Sequence, residues 1–220
     1  MATKHDNAGA FRKYVVEFMG SFFLVMTICM ADAGGLGQFA PWAAGSMLAA
    51  MFYAGFHISG AHFNPAISVA SYLRGKLGSG DVLPYIVSQC LGGTLAAMLS
   101  GFLLLSIGTH EATPKELGII PALIAELLGT LVIVYVYINL TTVKKTSGNS
   151  FGGLAIALTY TALLYTFGAV SGGAFNPAVA LGLTMANITP WESIWIFAVA
   201  NFGGGALAAF LSQYVNGPEA

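Results

Sequence analysis

Apolar residues run through this chain in blocks of roughly helix-spanning length, separated by short polar stretches, with little of the in-and-out alternation of a half-buried strand. A helix that crosses a bilayer needs about 20 predominantly apolar residues. Four blocks meet that length, at 14–33, 84–105, 118–140 and 191–215. Two further tracts do not fit so simply: 33–73 and 146–191 run for 41 and 46 residues without Asp, Glu, Lys or Arg. Each is too long for one span. After the Gly/Ser/Asn cluster in each, only about ten residues remain before Arg74 or the "NITP" at 187, enough helix to rise about 15 Å, half a bilayer. The pattern therefore predicts a full helix at 41–57 and at 152–167, each followed by a segment that dips into the membrane and stops midway.

Composition agrees. Hydrophobic residues make up 56% of the chain and charged ones 8%, against about a quarter charged in soluble domains, so a soluble core is excluded in favour of a polytopic membrane protein. A net charge of -1 offers no field for nucleic acid, and 28 glycines in an apolar background suit close helix packing in lipid. With the N-terminus cytoplasmic, Lys4, Arg12, Lys13, Arg74, Lys76, Lys144 and Lys145 fall inside and only Lys115 outside, as the positive-inside rule asks. The polar start "MATKHDNAGAFRKY" does not read as a secretory leader, so the first span is expected to stay in the protein. Cys29 and Cys90 lack any metal or redox spacing and read as small core residues; no metal or cofactor is expected. Tyr14, Trp42, Tyr85, Trp191 and Trp195 lie near span ends, where an interfacial aromatic belt is expected. His5 and His110 read as surface residues.

A duplication underlies the pattern. "SGAHFNPAIS" begins at Ser59 and "SGGAFNPAVA" at Ser171, and "LGGTLAAMLS" at Leu91 matches "GGGALAAFLS" at Gly203 at the same offset of 112. "EFMGSF" at Glu17 and "ELLGTL" at Glu126 align at an offset of 109. Two repeats follow, approximately 12–107 and 118–215, within a single domain over 1–220. Each holds three spans, an odd number, so the second enters the membrane from the opposite side, an arrangement that places a site at the midplane.

The shared box has a physical reading. Asn is a preferred N-cap and Pro costs nothing at the first helical position, so Asn64-Pro65 and Asn176-Pro177 each begin a short helix. With its oxygen capping, each Asn keeps an NH2 group to donate into a lumen, and the small Ala66 and Ala178 let the helix ends approach. Two helix N-termini facing one another repel cations. The residues leading in, Gly60, Ala61, His62 and Phe63, and Gly172, Gly173, Ala174 and Phe175, are expected to be extended and to expose a ladder of carbonyls. His62 either lines the lumen or is a hydrogen-bonded structural residue, and the same choice stands for His57.

On both "FNPA" boxes, the "HISGAHFNPA" around the first, Glu17, Glu126 and Gln89, the chain resembles the aquaporin, or major intrinsic protein, family along nearly its whole length. The resemblance implies an all-α membrane protein with six transmembrane helices and two re-entrant half helices in an inverted 3+3 repeat. It also implies a homotetramer with one pore per subunit, and it assigns Glu17 and Glu126 to support of the re-entrant loops. Where family members usually carry Arg after the second box, this chain has Val179. The remaining filter positions, by family spacing, fall at Ala44, Leu164 and Gly173, with Tyr165 as the alternative to Leu164. The implied filter is wide, aliphatic and uncharged.

The expected function is a passive channel for water and small uncharged solutes. A solute facilitator for glycerol, urea, ammonia, hydrogen peroxide or a dissolved gas is the close alternative. A coupled secondary transporter needs titratable groups in its path, for which only Glu17, Glu126 and a few histidines qualify. A membrane enzyme or junction protein finds no catalytic triad, metal spacing or phosphate loop here. The expected setting is a multi-pass protein of a prokaryotic inner membrane, both termini cytoplasmic, with no partner beyond its solutes, lipid and its own copies.

Overall fold

The computed structural model describes residues 4–108, 114 and 116–217, and of residues 4–8 the backbone only. The expectations for the side chains of Lys4 and His5, and for His110 and Lys115, lie outside the described residues.

Among the described residues, eight α-helices account for the fold: α1 (Lys4–Ala33), α2 (Ala40–Ser59), α3 (Pro65–Leu73), α4 (Ser79–Ser106), α5 (Ile119–Thr141), α6 (Gly152–Ser171), α7 (Pro177–Met185) and α8 (Ile194–Asn216). Six are long and two are short. The segments 9–33, 79–106, 119–141, 152–171 and 191–216 are long and apolar enough to cross a membrane. The 20-residue α2 matches them in length but is diluted by Pro41, Trp42, Tyr53 and His57. The short helices, α3 and α7, have nine residues each and rise about 14 Å, as the half-span reading requires.

Helix starts differ from expectation where local chemistry precedes the apolar block. α4 begins at Ser79, five residues before Pro84, and carries Asp81 in its first turn, a favourable place for a negative charge. Asp81 also pairs with Lys13 at 3.2 Å and accepts from the Tyr14 hydroxyl at 2.8 Å, which anchors this start to α1.

The two halves are built alike. α1 packs along α4 and α5 along α8, and α2 meets α6 at the centre. Each short helix packs on the last long helix of the other half, α3 on α8 and α7 on α4. Glycines set these approaches: a Cβ on Gly93 would stand 2.7 Å from the Ala178 carbonyl oxygen, and one on Gly205 3.0 Å from that of Ala66. Gly92 against the backbone of Phe18 and Gly204 against that of Leu127 leave no room for a Cβ at all. Small residues at helix crossings let backbones touch, which is how helices pack where lipid removes the hydrophobic drive between them.

Of the predicted aromatic belt, Trp42, Trp191 and Trp195 are exposed. Tyr85 is not part of it. It is 1% exposed, donates to the Ser59 carbonyl at 2.8 Å and sets its ring against His62. Position near a helix end predicted the belt, and the rings of Tyr14 on α1 and His62 in the loop before α3 enclose the residue instead. Cys29 and Cys90 are both free thiols, and no cluster of metal-ligating side chains occurs among the described residues.

Candidate functional site

The site is assembled from the starts of α3 and α7. Asn64 has extended backbone (φ -155°) and its Oδ1 accepts from the Ala66 N–H at 2.9 Å. Asn176 repeats this at φ -163°, its Oδ1 accepting from Ala178 at 2.9 Å and Val179 at 3.4 Å. Both caps follow the sequence expectation, with Pro65 and Pro177 at the first helical position. In sequence both amide hydrogens of each Asn are left for a lumen, whereas the structure commits one of them to the opposite loop. Asn64 Nδ2 donates to the Phe175 carbonyl at 3.0 Å, and Asn176 Nδ2 donates to the Phe63 carbonyl at 2.8 Å. Each NH2 has two hydrogens. One bridges to the opposite loop, and one remains.

The approach to each box is not extended. Positive φ occurs at Gly60 (86°), Ala61 (52°) and Phe63 (49°), and again at Gly172 (91°), Gly173 (73°) and Phe175 (50°). Left-handed backbone is costly for Ala and Phe, by about 1–3 kcal/mol each, and persists only where the surroundings over-determine it. The surroundings here are two buried carboxylates. Glu17 Oε1 accepts from the Ser59 hydroxyl (2.6 Å) and the His62 N–H (2.9 Å), and Oε2 accepts from the Phe63 N–H (2.7 Å) and Gln89 Nε2 (2.7 Å). Glu126 does the same with Ser171 (2.6 Å), Ala174 N–H (3.0 Å), Phe175 N–H (2.7 Å) and Asn201 Nδ2 (3.0 Å). Each carboxylate is fully buried and meets four donors, as a buried charge must. The phenyl rings of Phe63 and Phe175 lie against Gly20 and Gly129, where a Cβ would collide with them.

Three members of these clusters have roles that the sequence did not assign: Ser59 and Ser171, although they head the two repeated motifs, and Asn201. Ser59 and Ser171 each donate to a glutamate and accept from the N–H two residues on, at 3.0 and 3.2 Å. Asn201 bridges Glu126 to Thr130 at 3.0 Å. A repeat signal for it does exist: Asn201 stands 112 residues after Gln89, the same offset as the boxes.

The carbonyl ladder is shorter than expected. Gly60 O accepts from the Tyr137 hydroxyl at 2.6 Å, and the Phe63 and Phe175 carbonyls are taken by the asparagines. Among the described residues, no protein donor reaches the carbonyls of Ala61, His62, Gly172, Gly173 or Ala174.

One cavity borders the boxes and another lies beside the loop that leads into the first of them. A small one of about 20 Å³ is lined by Asn64 and Asn176 together with Leu48, Ile156, Tyr160 and others. That volume holds about one water. A larger one of about 430 Å³ opens at the end of the bundle that carries Lys13, Lys76 and Asp81. His62 and Tyr137 line both, so they stand between the wide space and the narrow one. His62 is 7% exposed and its Nδ1 is 3.0 Å from Ser68 Oγ. His57, by contrast, is exposed and lines neither of these two cavities.

Of the predicted filter positions, Leu164 and Gly173 are brought together: a Cβ on Gly173 would stand 2.8 Å from Leu164 Cδ2. Ala44 and Val179 are buried in the same apolar cluster. Tyr165 turns away, half exposed, with its hydroxyl on the Gln38 carbonyl at 2.5 Å. Of the two alternatives, Leu164 is the one that packs beside Gly173, and Tyr165 is the one left exposed.

Known proteins resemble this chain in sequence and in fold. The model of the family described as Major intrinsic protein matches residues 2–212. Aquaporin AqpM of Methanothermobacter thermautotrophicus is 29% identical over 93% of this chain and 97% of its own. Glycerol uptake facilitator protein-like 6 of Lactiplantibacillus plantarum is 29% identical over 94% of this chain and 100% of its own. The structure of the aquaglyceroporin from Plasmodium falciparum superposes with a TM-score of 0.78 at 19% identity, covering 94% of this chain and 96% of that one, and so shares the fold. With the family match running through both boxes and both buried glutamates, the chain belongs to the major intrinsic protein family of passive membrane channels, and is not an enzyme.

Proposed function

We propose that the chain conducts water and small uncharged solutes in single file between the paired Asn-Pro-Ala boxes. One observation carries this: two asparagine-capped helix starts, tied to each other's loops, border a cavity of about one water's volume. The remaining amide hydrogen of Asn64 and of Asn176 would turn a passing water's oxygen toward them, and the two helix N-termini, each equivalent to roughly half a positive charge, oppose cations. Proton hopping is interrupted there, because a water whose lone pairs are both taken by the asparagine donors has none left to accept a proton from its neighbour in the file.

In this reading Glu17 and Glu126 hold the loops rather than carry protons. All four oxygens are engaged by donors of the loop and its supports, which speaks against ion- or proton-coupled transport. The carbonyls of Ala61, His62, Gly172, Gly173 and Ala174 serve as acceptors along the path. Ala44, Leu164, Gly173 and Val179 form the outer constriction, and the vestibule of Lys13, Lys76 and Asp81 opens to the cytoplasm, with both termini on that side. A homotetramer in a prokaryotic inner membrane completes the proposal.

A second reading, a solute facilitator with water secondary, is favoured by the constriction itself. Leu164 against Gly173 is apolar, and no Arg or Lys follows Lys145 in the sequence to supply a fixed charge. Liposome shrinkage in sucrose, then in glycerol and in urea, separates the readings. Water flux no faster than in empty liposomes defeats the first, and impermeability to every neutral solute defeats the second.

A further inference from the structure

Tyr160 is 2% exposed, and its hydroxyl is buried with no hydrogen-bond partner among the described residues. It also lines the small cavity that Asn64 and Asn176 border, its ring edge-on to Phe175 at 6.4 Å between centroids. A buried hydroxyl without a partner forfeits its hydration for nothing, so such groups call for a bound water or ligand. Packing alone does not ask for this oxygen. Leu48, 112 residues earlier at the matching place in α2, lines the same cavity with a purely apolar side chain.

The donor and acceptor inventory says what the hydroxyl adds. Asn64 and Asn176 offer the cavity only N–H groups, because their oxygens cap α3 and α7. The adjacent Phe63 and Phe175 carbonyls already accept from those asparagines. A guest held by its lone pairs at the asparagines still has hydrogens to place, and a phenol oxygen can accept one. We propose that Tyr160 Oη is a third polar contact of the conducted molecule at this cavity, and that it selects for water-sized guests that can donate a hydrogen bond: water itself, and by the same chemistry ammonia or hydrogen peroxide.

This rests on the channel reading above, and the test separates the two. Tyr160→Phe keeps the ring and removes only the oxygen. In liposomes matched for channel content, it should lower water permeability about threefold to tenfold, the worth of one ordinary hydrogen bond at a narrow point, and raise the activation energy of permeation. Unchanged or faster water flux overturns the proposal, since the oxygen would then be inert or an obstruction. If the unaltered protein passes no water, the proposed function fails instead, and a density map decides the inference by itself. An ordered molecule within hydrogen-bond reach of Tyr160 Oη, absent in Tyr160→Phe, upholds it; a hydroxyl facing away from the cavity, or with no molecule beside it, overturns it.

Discussion

Asn176 donates its amide N–H to the Phe63 carbonyl at 2.8 Å, so the cap of one half helix is fastened to the backbone that leads into the other. Asn64 and Phe175 return the bond at 3.0 Å. Replacing Asn176 with Ala removes a cap, worth about 1 kcal/mol, and leaves a buried carbonyl unpaired, worth about 1–3 kcal/mol more. Thermal unfolding in detergent should show the loss. Because both bridges hold the same pair of loops, Asn64→Ala combined with Asn176→Ala should cost less than the two singles added. Strict additivity would mean that the bridges act independently.

Glu126→Gln changes only a charge and one acceptor, yet four donors converge there. An amide presents one oxygen and an NH2 group to them, so at least one backbone N–H of Ala174 or Phe175 loses its partner. The expected cost is about 1.5–3 kcal/mol per charge-assisted bond lost, with reduced folded yield and slower solute flux. Glu17→Gln should behave alike, through His62 and Phe63. A Gln variant as stable and as active as the parent would show that the left-handed loop backbone holds itself.

The constriction is tested by three substitutions. Leu164→Ala should raise glycerol or urea permeability, since Leu164 packs on Gly173. Tyr165→Phe should leave it unchanged, because the Tyr165 hydroxyl is spent on the Gln38 carbonyl rather than packed against Gly173. Val179→Arg should lower glycerol and urea flux while water passage is retained or modestly reduced. Solute permeabilities that ignore both Leu164→Ala and Val179→Arg would place the narrow point elsewhere.

Neighbouring glycines on α8 should respond in opposite ways. Gly204 faces the Leu127 carbonyl, at 2.5 Å from where its Cβ would be, so Gly204→Ala forces α5 and α8 apart and should cost about 1–3 kcal/mol. Gly203→Ala meets only the tip of the Leu127 side chain at 3.9 Å and should be neutral or gain up to about 1 kcal/mol from helix propensity. Melting temperatures of the two variants check this directly, and equal losses would sink it.

Much of the site is legible in the order of residues alone. The boxes, their caps, the half-length helices and the paired glutamates all follow from residue type and spacing, which are local or repeat-borne signals. Tyr85 and Asn201 mark the limit from opposite sides. Tyr85 reads as a belt residue because its place near a helix end is visible in sequence, whereas the rings of Tyr14 and His62 that close over it come from distant parts of the chain. Asn201 escapes notice because one polar residue in an apolar span has no local pattern, and its repeat partner Gln89 is marked only by the family resemblance.

By itself the sequence determined what the chain's own neighbours along the backbone can enforce. Apolar length sets which segments cross, Asn-Pro sets where a helix restarts, and the duplication implies that it happens twice. Tertiary structure decided what depends on atoms far apart in the chain. The left-handed turns at Ala61, Phe63 and Phe175 exist because carboxylates from other helices hold their N–H groups or those of their neighbours. The partners of Asn64 and Asn176 are main-chain carbonyls, and a carbonyl has no residue identity for a sequence to announce. Only the packing of α3 and α7 on the opposite halves brings those oxygens within reach.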